Sequence, residues 1–227
     1  SSDEMLNKYK NGGLTLSYGK TNINYVEGNC VGGGSEVNSG FYHRLPEKIL
    51  YNWEKKNNII LDRSHLENSY KINEKDLSIS YSQNIIDKSS LKILKGAKKL
   101  NWKCKEVPRW YKYNGQGLGV KQSMTETYIP DFIKNGGDLI YNSNVEKIKK
   151  IRKSNVVKVL SGGVSIEYQC DFLFICAGAI DTPFILQKSG YRGLIGKGLK
   201  THPSFKFTAL FKENIFSKKS SLGLHQI

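Results

Sequence analysis

Residues 29–40 read NCVGGGSEVNSG. Three glycines stand together, and a serine, a carboxylate and Asn38 follow within a few steps. Glycine has no Cβ, permits positive φ, and lets backbone N–H groups converge on an anion or a flat ring. On its own such a cluster marks a tight turn. The run matches neither GxGxxG nor GxxxxGK followed by Ser or Thr, so the standard dinucleotide and P-loop fingerprints are absent from it.

Working outward, LTLSYGKTNINYVEGNCV (14–31) predicts two short strands around a turn at Gly19–Lys20. Downstream, PEKILYNWEKK predicts a helix with Ile49, Leu50 and Trp53 on one face and Pro46 in its first turn. The stretch 57–113 is less patterned, but SSLKILKGAKKLNW predicts a helix with Leu91, Leu94 and Leu100 inward and lysines outward. Ser123 and Glu126 stand at capping-box spacing before TYIPDFIKNGG, which Gly136–Gly137 should close. Pro130 must kink that helix or shift its start.

DLIYNSNVEKIKKI, NVVKVL and VSIEYQC alternate well enough for a small meander turning at Gly162–Gly163. In DFLFICAGAIDTPFILQKSG, the apolar run Phe172–Ala177 predicts a strand buried on both faces. A helix should follow, capped by Asp181 or Thr182, with Pro183 in its first turn and Gly190 at its end. Strand, small-residue turn and helix N-terminus form half of a nucleotide-binding βα unit. Ala177, Gly178 and Ala179 would let a ligand approach the backbone, and GLIGKGLKTHPSFKFTALF then returns to loop and strand.

These motifs together resemble the GMC (glucose–methanol–choline) family of flavoprotein oxidoreductases. EGNCVGGGSEVNSGFYHRLPEKIL is similar to the family's first signature through Gly28, Gly32, Gly33, Gly34, Ser35, Asn38, Arg44 and Pro46. GAIDTPFILQKSG resembles the second signature, and GKGLKTHP the His-Pro segment leading into the substrate-binding domain. NSNVEKI stands where the family has its adenine-side valine, and the resemblance runs from about Ile23 to Phe211. It implies an α/β fold: part of a Rossmann-like FAD-binding domain interleaved with part of an α+β substrate-binding domain. The implied division is FAD-binding residues 1–45, a cap or substrate-side insertion at 46–113, further FAD-binding residues at 114–200, and the start of the substrate domain at 201–227.

The implied activity is oxidation of an alcohol to an aldehyde or ketone, with hydride passing to the flavin. By the resemblance Gly28 and Gly32, Gly33 and Gly34, with Ser35, border the diphosphate and flavin. Asn38 and Ser39 bond near the isoalloxazine, Val145 packs beside the adenine, and Ala177 lies near the ribose or diphosphate. Val37 occupies the place of a histidine that carries covalent FAD in some members, so non-covalent FAD is expected. The opening GxGxxG of the family would lie before Ser1 and its catalytic histidine region beyond Ile227. The expectation is therefore an internal fragment, inactive alone, with no catalytic residue of its own, from a parent of about 500 residues, larger than one usual domain. YNGQGLGVKQS also lacks the cysteines some members carry there.

Composition is consistent with this. The 227 residues are 38% hydrophobic and 24% charged, and no apolar stretch reaches the length of a membrane span. The first ten residues lack a secretory pattern, so a cytoplasmic location is expected. The net charge of +15 admits a rival reading, a basic module binding nucleic acid, but the lysines spread along the whole chain and no nucleic-acid partner is expected. A different flavoprotein with a similar glycine turn is the other rival. Cys30, Cys104, Cys170 and Cys176 form no CxxC pair, and Cys170 and Cys176 read as small buried hydrophobes. His43, His65, His202 and His225 lack zincin spacing, so no metal is expected. Trp53, Trp102 and Trp110 read as packing residues.

Overall fold

The computed structural model describes residues 2–81, 88–114, 119–202, 208–215 and 225–226. It mixes helices with small sheets, and every strand pair among the described residues is antiparallel. The chain forms two compact units, residues 1–138 with 210–227, and residues 139–209. Each is described by itself.

The first unit opens with α1 (Ser2–Lys8), then β1 (Thr15–Ser17) and β2 (Ile23–Tyr25), which pair as the sequence predicts, Thr15 facing Tyr25. A short α2 (Gly34–Val37) is followed by α3 (Glu47–Asn57) and α4 (Arg63–Asp76). Then come β3 (Ile79–Ser80), α5 (Lys88–Lys99), β4 (Lys105–Glu106), β5 (Arg109–Tyr113), β6 (Gly119–Lys121) and α6 (Tyr128–Lys134). β5 is the centre of a β3-β5-β6 sheet, and Phe41 bridges to Arg109 beside it.

Pro46 is the N-cap of α3, one step outside the helix, and Asn58 closes it at a φ of 50°. Of the expected inner face only Leu50 is buried; Ile49 and Trp53 are exposed. The reason is that α3 meets α4 through charge as much as through apolar contact. Arg63 bonds Glu47 and forks Glu54, and Arg44 forks Glu74 and reaches Glu67 at 2.8 Å. Asp62 caps α4 by accepting from the His65 amide at 3.0 Å. The two helices border a cleft of about 480 Å³ whose lining includes Leu45, Leu50, Leu66 and Tyr70.

α5 buries Ser90 and Ala97, with Leu91 and Leu94 half-buried. Leu100 is exposed, because the helix has already ended: Asn101 turns at a φ of 55° and the Trp102 amide returns to the Ala97 carbonyl at 2.8 Å. Trp102 is exposed rather than packed. α6 begins at Tyr128, which places Pro130 in the first turn, where its missing N–H leaves no bond unmade. The capping box does not form: the Ser123 hydroxyl meets that of Thr125, and Thr127 is the N-cap.

The second unit is the predicted meander, β7 (Ser143–Ile151), β8 (Ser154–Ser161) and β9 (Val164–Cys170), turning at Gly162 and Gly163 with positive φ. A bulge between Val145 and Lys147 puts Glu146 outside the register. Through that extra residue Val145 and Ile148 share one face with Val157 and Val159. α7 (Gly178–Lys188) packs on β7, and Ile148, Val159 and Ile185 form the buried centre. The Ser189 hydroxyl accepts from the Ile148 amide at 2.8 Å and donates to the Ile185 carbonyl at 2.6 Å.

Phe172–Ala177 is not a strand. No described strand pairs with it, and Phe172 and Phe174 are 84% and 85% exposed. An apolar run becomes a buried strand only where neighbours supply ladder bonds and covering side chains. α7 starts earlier than predicted, with Ala177 as N-cap, so Asp181 and Pro183 lie inside it. The four cysteines are free, with Cys170 half-buried and Cys176 exposed rather than buried. Pro203, most of the strand expected after it, residues 115–118 and the side chain of His225 lie outside the described residues. No described helix is long and apolar enough to cross a membrane.

Replacing Leu50 by Ala should cost about 3 kcal/mol in urea unfolding, through lost burial and a residual cavity. Replacing Trp53 by Ala should cost clearly less, under about 2 kcal/mol, as expected of a side chain about half exposed. Equal losses would restore the apolar face read from the sequence.

Candidate functional site: the glycine loop of the first unit

Gly28 begins the loop by bridging antiparallel to Tyr9, while the Asn29 amide donates to the Lys8 carbonyl at 2.7 Å. A Cβ on Gly28 would stand 2.6 Å from the Gly33 carbonyl oxygen and 3.0 Å from the Gly34 nitrogen. Only glycine allows the chain to fold back on itself so closely. Gly32 and Gly33 turn at φ of 88° and 53°, conformations that side chains disfavour, and α2 starts at Gly34. A Cβ at Gly33 or Gly34 would meet nothing within 4 Å. The loop is thus tight on its Gly28 side and open at Gly33 and Gly34.

The rest of the loop is anchored from distant parts of the first unit. The Ser35 hydroxyl donates to the Gly32 carbonyl at 2.6 Å and accepts from the Met124 amide at 3.0 Å. Thr125 donates its hydroxyl to the Glu36 carboxylate at 2.8 Å. Burial pushes the Glu36 carboxyl up, but the hydrogen bonds of Thr125 and Ser123 and the charge of Lys121 outweigh it and hold the group below its ordinary value. Lys121 donates to the Glu36 carbonyl at 2.7 Å and to the Asn38 carbonyl at 3.0 Å. Burial lowers the Lys121 ammonium, with Glu36 opposing. Arg109 donates to the Ser39 carbonyl at 3.1 Å, and Tyr9 to the Val37 carbonyl at 3.3 Å.

Asn38 closes an Asx turn by accepting from the Gly40 amide at 2.9 Å. Its side-chain NH2 and the Ser39 amide have no partner among the described residues. Burial and the nearby Glu36 charge raise the Cys30 thiol, which makes it a poor nucleophile. Tyr42 is pushed up to about 12 by burial and its bond to Glu74, so it stays a donor. Among the described residues no cluster of His, Cys, Asp and Glu could hold a metal ion, and His43, His65 and His202 are exposed.

The structure therefore brings Gly28, Gly32, Gly33, Gly34, Ser35, Asn38 and Ser39 together on one loop. Val145 and Ala177 belong to the second unit, Val145 half-buried at the bulge of β7 and Ala177 exposed at the start of α7. Sequence reasoning missed Glu36, Arg109, Lys121 and Thr125. The signal closest to them, Ser123 and Glu126, was read as a helix start, whereas Ser123 is buried next to Glu36.

The lowered Glu36 carboxyl has a pH signature. Its folded value lies below the unfolded one, so its stabilisation is complete above the usual carboxylate range and is lost as pH falls through the folded value. Glu36→Gln should unfold at lower urea than wild type at pH 7, and the two midpoints should converge in acid. A gap that stays constant to pH 3 would remove Glu36 as the source.

The family model described as GMC oxidoreductase matches residues 5–204. An uncharacterised GMC-type oxidoreductase of Sinorhizobium fredii is 33% identical over 232 residues, covering 95% of this chain and 46% of that protein. An uncharacterised GMC-type oxidoreductase of Mycobacterium tuberculosis is 24% identical, covering 97% of this chain and 37% of its own. A long-chain-alcohol oxidase of Arabidopsis thaliana is 26% identical over 213 residues, covering 86% of this chain and 29% of its own. The chain thus spans less than half the length of these relatives, and no solved structure matches it. With a family match over most of its length, the chain belongs to the GMC oxidoreductases.

Proposed function

We propose that the protein is an FAD-dependent oxidoreductase acting on CH–OH groups, and that this chain contributes its flavin cradle. The observation that carries the reading is the loop from Gly28 to Ser39, closed on one side and bare on the other. The matched region is the FAD-binding part of the family, and some relatives are named long-chain-alcohol oxidases, which supports an alcohol substrate.

The residues present fit FAD. Gly33 and Gly34 leave space where any side chain would intrude, as a large planar group requires. The Asn38 NH2 and the Ser39 amide are donors suited to the acceptor atoms of an isoalloxazine. In the second unit, the bulge at Glu146 leaves main-chain groups beside Val145 outside the ladder, the kind of edge an adenine can bond. Ala177, small and exposed at a helix start, suits a ribose or diphosphate neighbour. When bound, FAD supplies the hydride acceptor. Gly28, Gly32, Gly33, Gly34 and Ser35 bind and position it without covalent attachment, Asn38 and Ser39 orient its ring, and no residue of this chain is assigned as the proton-accepting base. The Rossmann-like arrangement and the division at residues 45, 113 and 200 are part of the same proposal.

The protein expressed from its complete reading frame should purify with a flavin spectrum that bleaches anaerobically on addition of an alcohol. Protein that takes up no FAD overturns the reading. Gly34→Ala gives a residue-level check, because its Cβ meets no protein atom. Thermal unfolding without FAD should be unchanged, while FAD affinity falls about ten-fold or more, a loss of about 1.4 kcal/mol.

A further inference from the structure

We propose that Arg109 is a fixed positive charge of the flavin site, acting through the Asn38–Gly40 turn to favour the anionic form of the reduced ring; this rests on the FAD reading above. Arg109 lies on β5 and is 6% exposed. Its guanidinium is stacked 3.9 Å from the Tyr111 ring centroid and 5.7 Å from that of Phe41. One terminal nitrogen donates to the Ser39 carbonyl, and Nε is buried without a partner. No carboxylate among the described residues pairs with it. The contrast within the same unit is sharp: Arg44 and Arg63 each hold two glutamates.

A buried cation without a counter-ion is costly, and a neutral donor would staple β5 to the turn at less expense. The charge itself is therefore the property that distinguishes this side chain. Lys121 adds to the arrangement. It holds the Glu36 and Asn38 carbonyls, with the Glu36 carboxylate near enough to offset part of its charge. Arg109 has no carboxylate within ion-pair distance among the described residues. Because a trans peptide is planar, fixing the Asn38 carbonyl on Lys121 turns the Ser39 amide to the opposite side. The Trp110 indole N–H, packed against Gly40, is a second buried donor without a partner at the same turn. The turn thus presents donors and excess positive potential on the segment assigned to the ring, and preorganised charge of this kind stabilises negative charge that develops later.

Sulfite is a suitable probe, since it adds reversibly to an oxidised flavin and leaves negative charge on the ring. In the flavin-loaded protein from the complete reading frame, Arg109→Gln should raise the sulfite dissociation constant about ten-fold or more, with FAD still held within about three-fold of wild type. Arg109→Lys, which keeps the charge, should stay within about three-fold of wild type in both measurements. Unchanged sulfite affinity in Arg109→Gln overturns the proposal and leaves the FAD reading intact. If Arg109→Gln does not fold, Arg109→Met, which keeps an apolar stem and removes the charge, decides: a ten-fold loss of sulfite affinity with flavin retained supports the proposal, and unchanged sulfite affinity overturns it. Wild-type protein that binds no FAD overturns both readings together.

Discussion

The approach of the Gly28 backbone to the Gly33–Gly34 peptide sets the geometry of the first unit's site. Once those two segments touch, the chain between them must turn through conformations that only glycine adopts easily, and α2 must start at Gly34. The loop has little apolar content of its own, so its shape is maintained by bonds from elsewhere. Met124, Thr125, Lys121 and Arg109 reach it from positions 70 to 89 residues away in the chain. The same backbone that is bare toward one side is held firmly from the other.

That division of labour separates two kinds of charged residue. Arg44, part of the family's signature, forks Glu74 and rests over Tyr70 at 5.1 Å, joining the end of the signature to α4. Its role is to connect helices, and its charge is neutralised where it lies. Arg109 and Lys121 instead bond backbone carbonyls, which carry no net charge; Glu36 offsets part of the Lys121 charge, and the field of Arg109 extends beyond its bond.

Local patterns in the sequence located the elements whose stability is local. The meander was legible because alternation and a Gly-Gly turn are short-range signals, and β1 with β2 for the same reason. Phe172–Ala177 was misread because a run of apolar residues says nothing about whether a neighbouring strand is present to receive it. Leu100 reads as part of α5, which ends one residue before it at Lys99, and Ser123 reads as a cap although it serves Glu36. The glycine loop stood out at once, and the lysine and arginine that pin it did not. They lie on strands far along the chain, where no spacing rule connects them to the loop.

The bulge in β7 restricts how this unit can change. Because Glu146 shifts the pleat by one position, Val145 and Ile148 look toward the same side, although ordinary alternation would set them on opposite sides. Removing one residue there, or adding one, would invert half of the strand and send either Val145 or Ile148 to the wrong side of the sheet. A change of length in this segment therefore keeps both side chains on the buried face only when it comes in even steps.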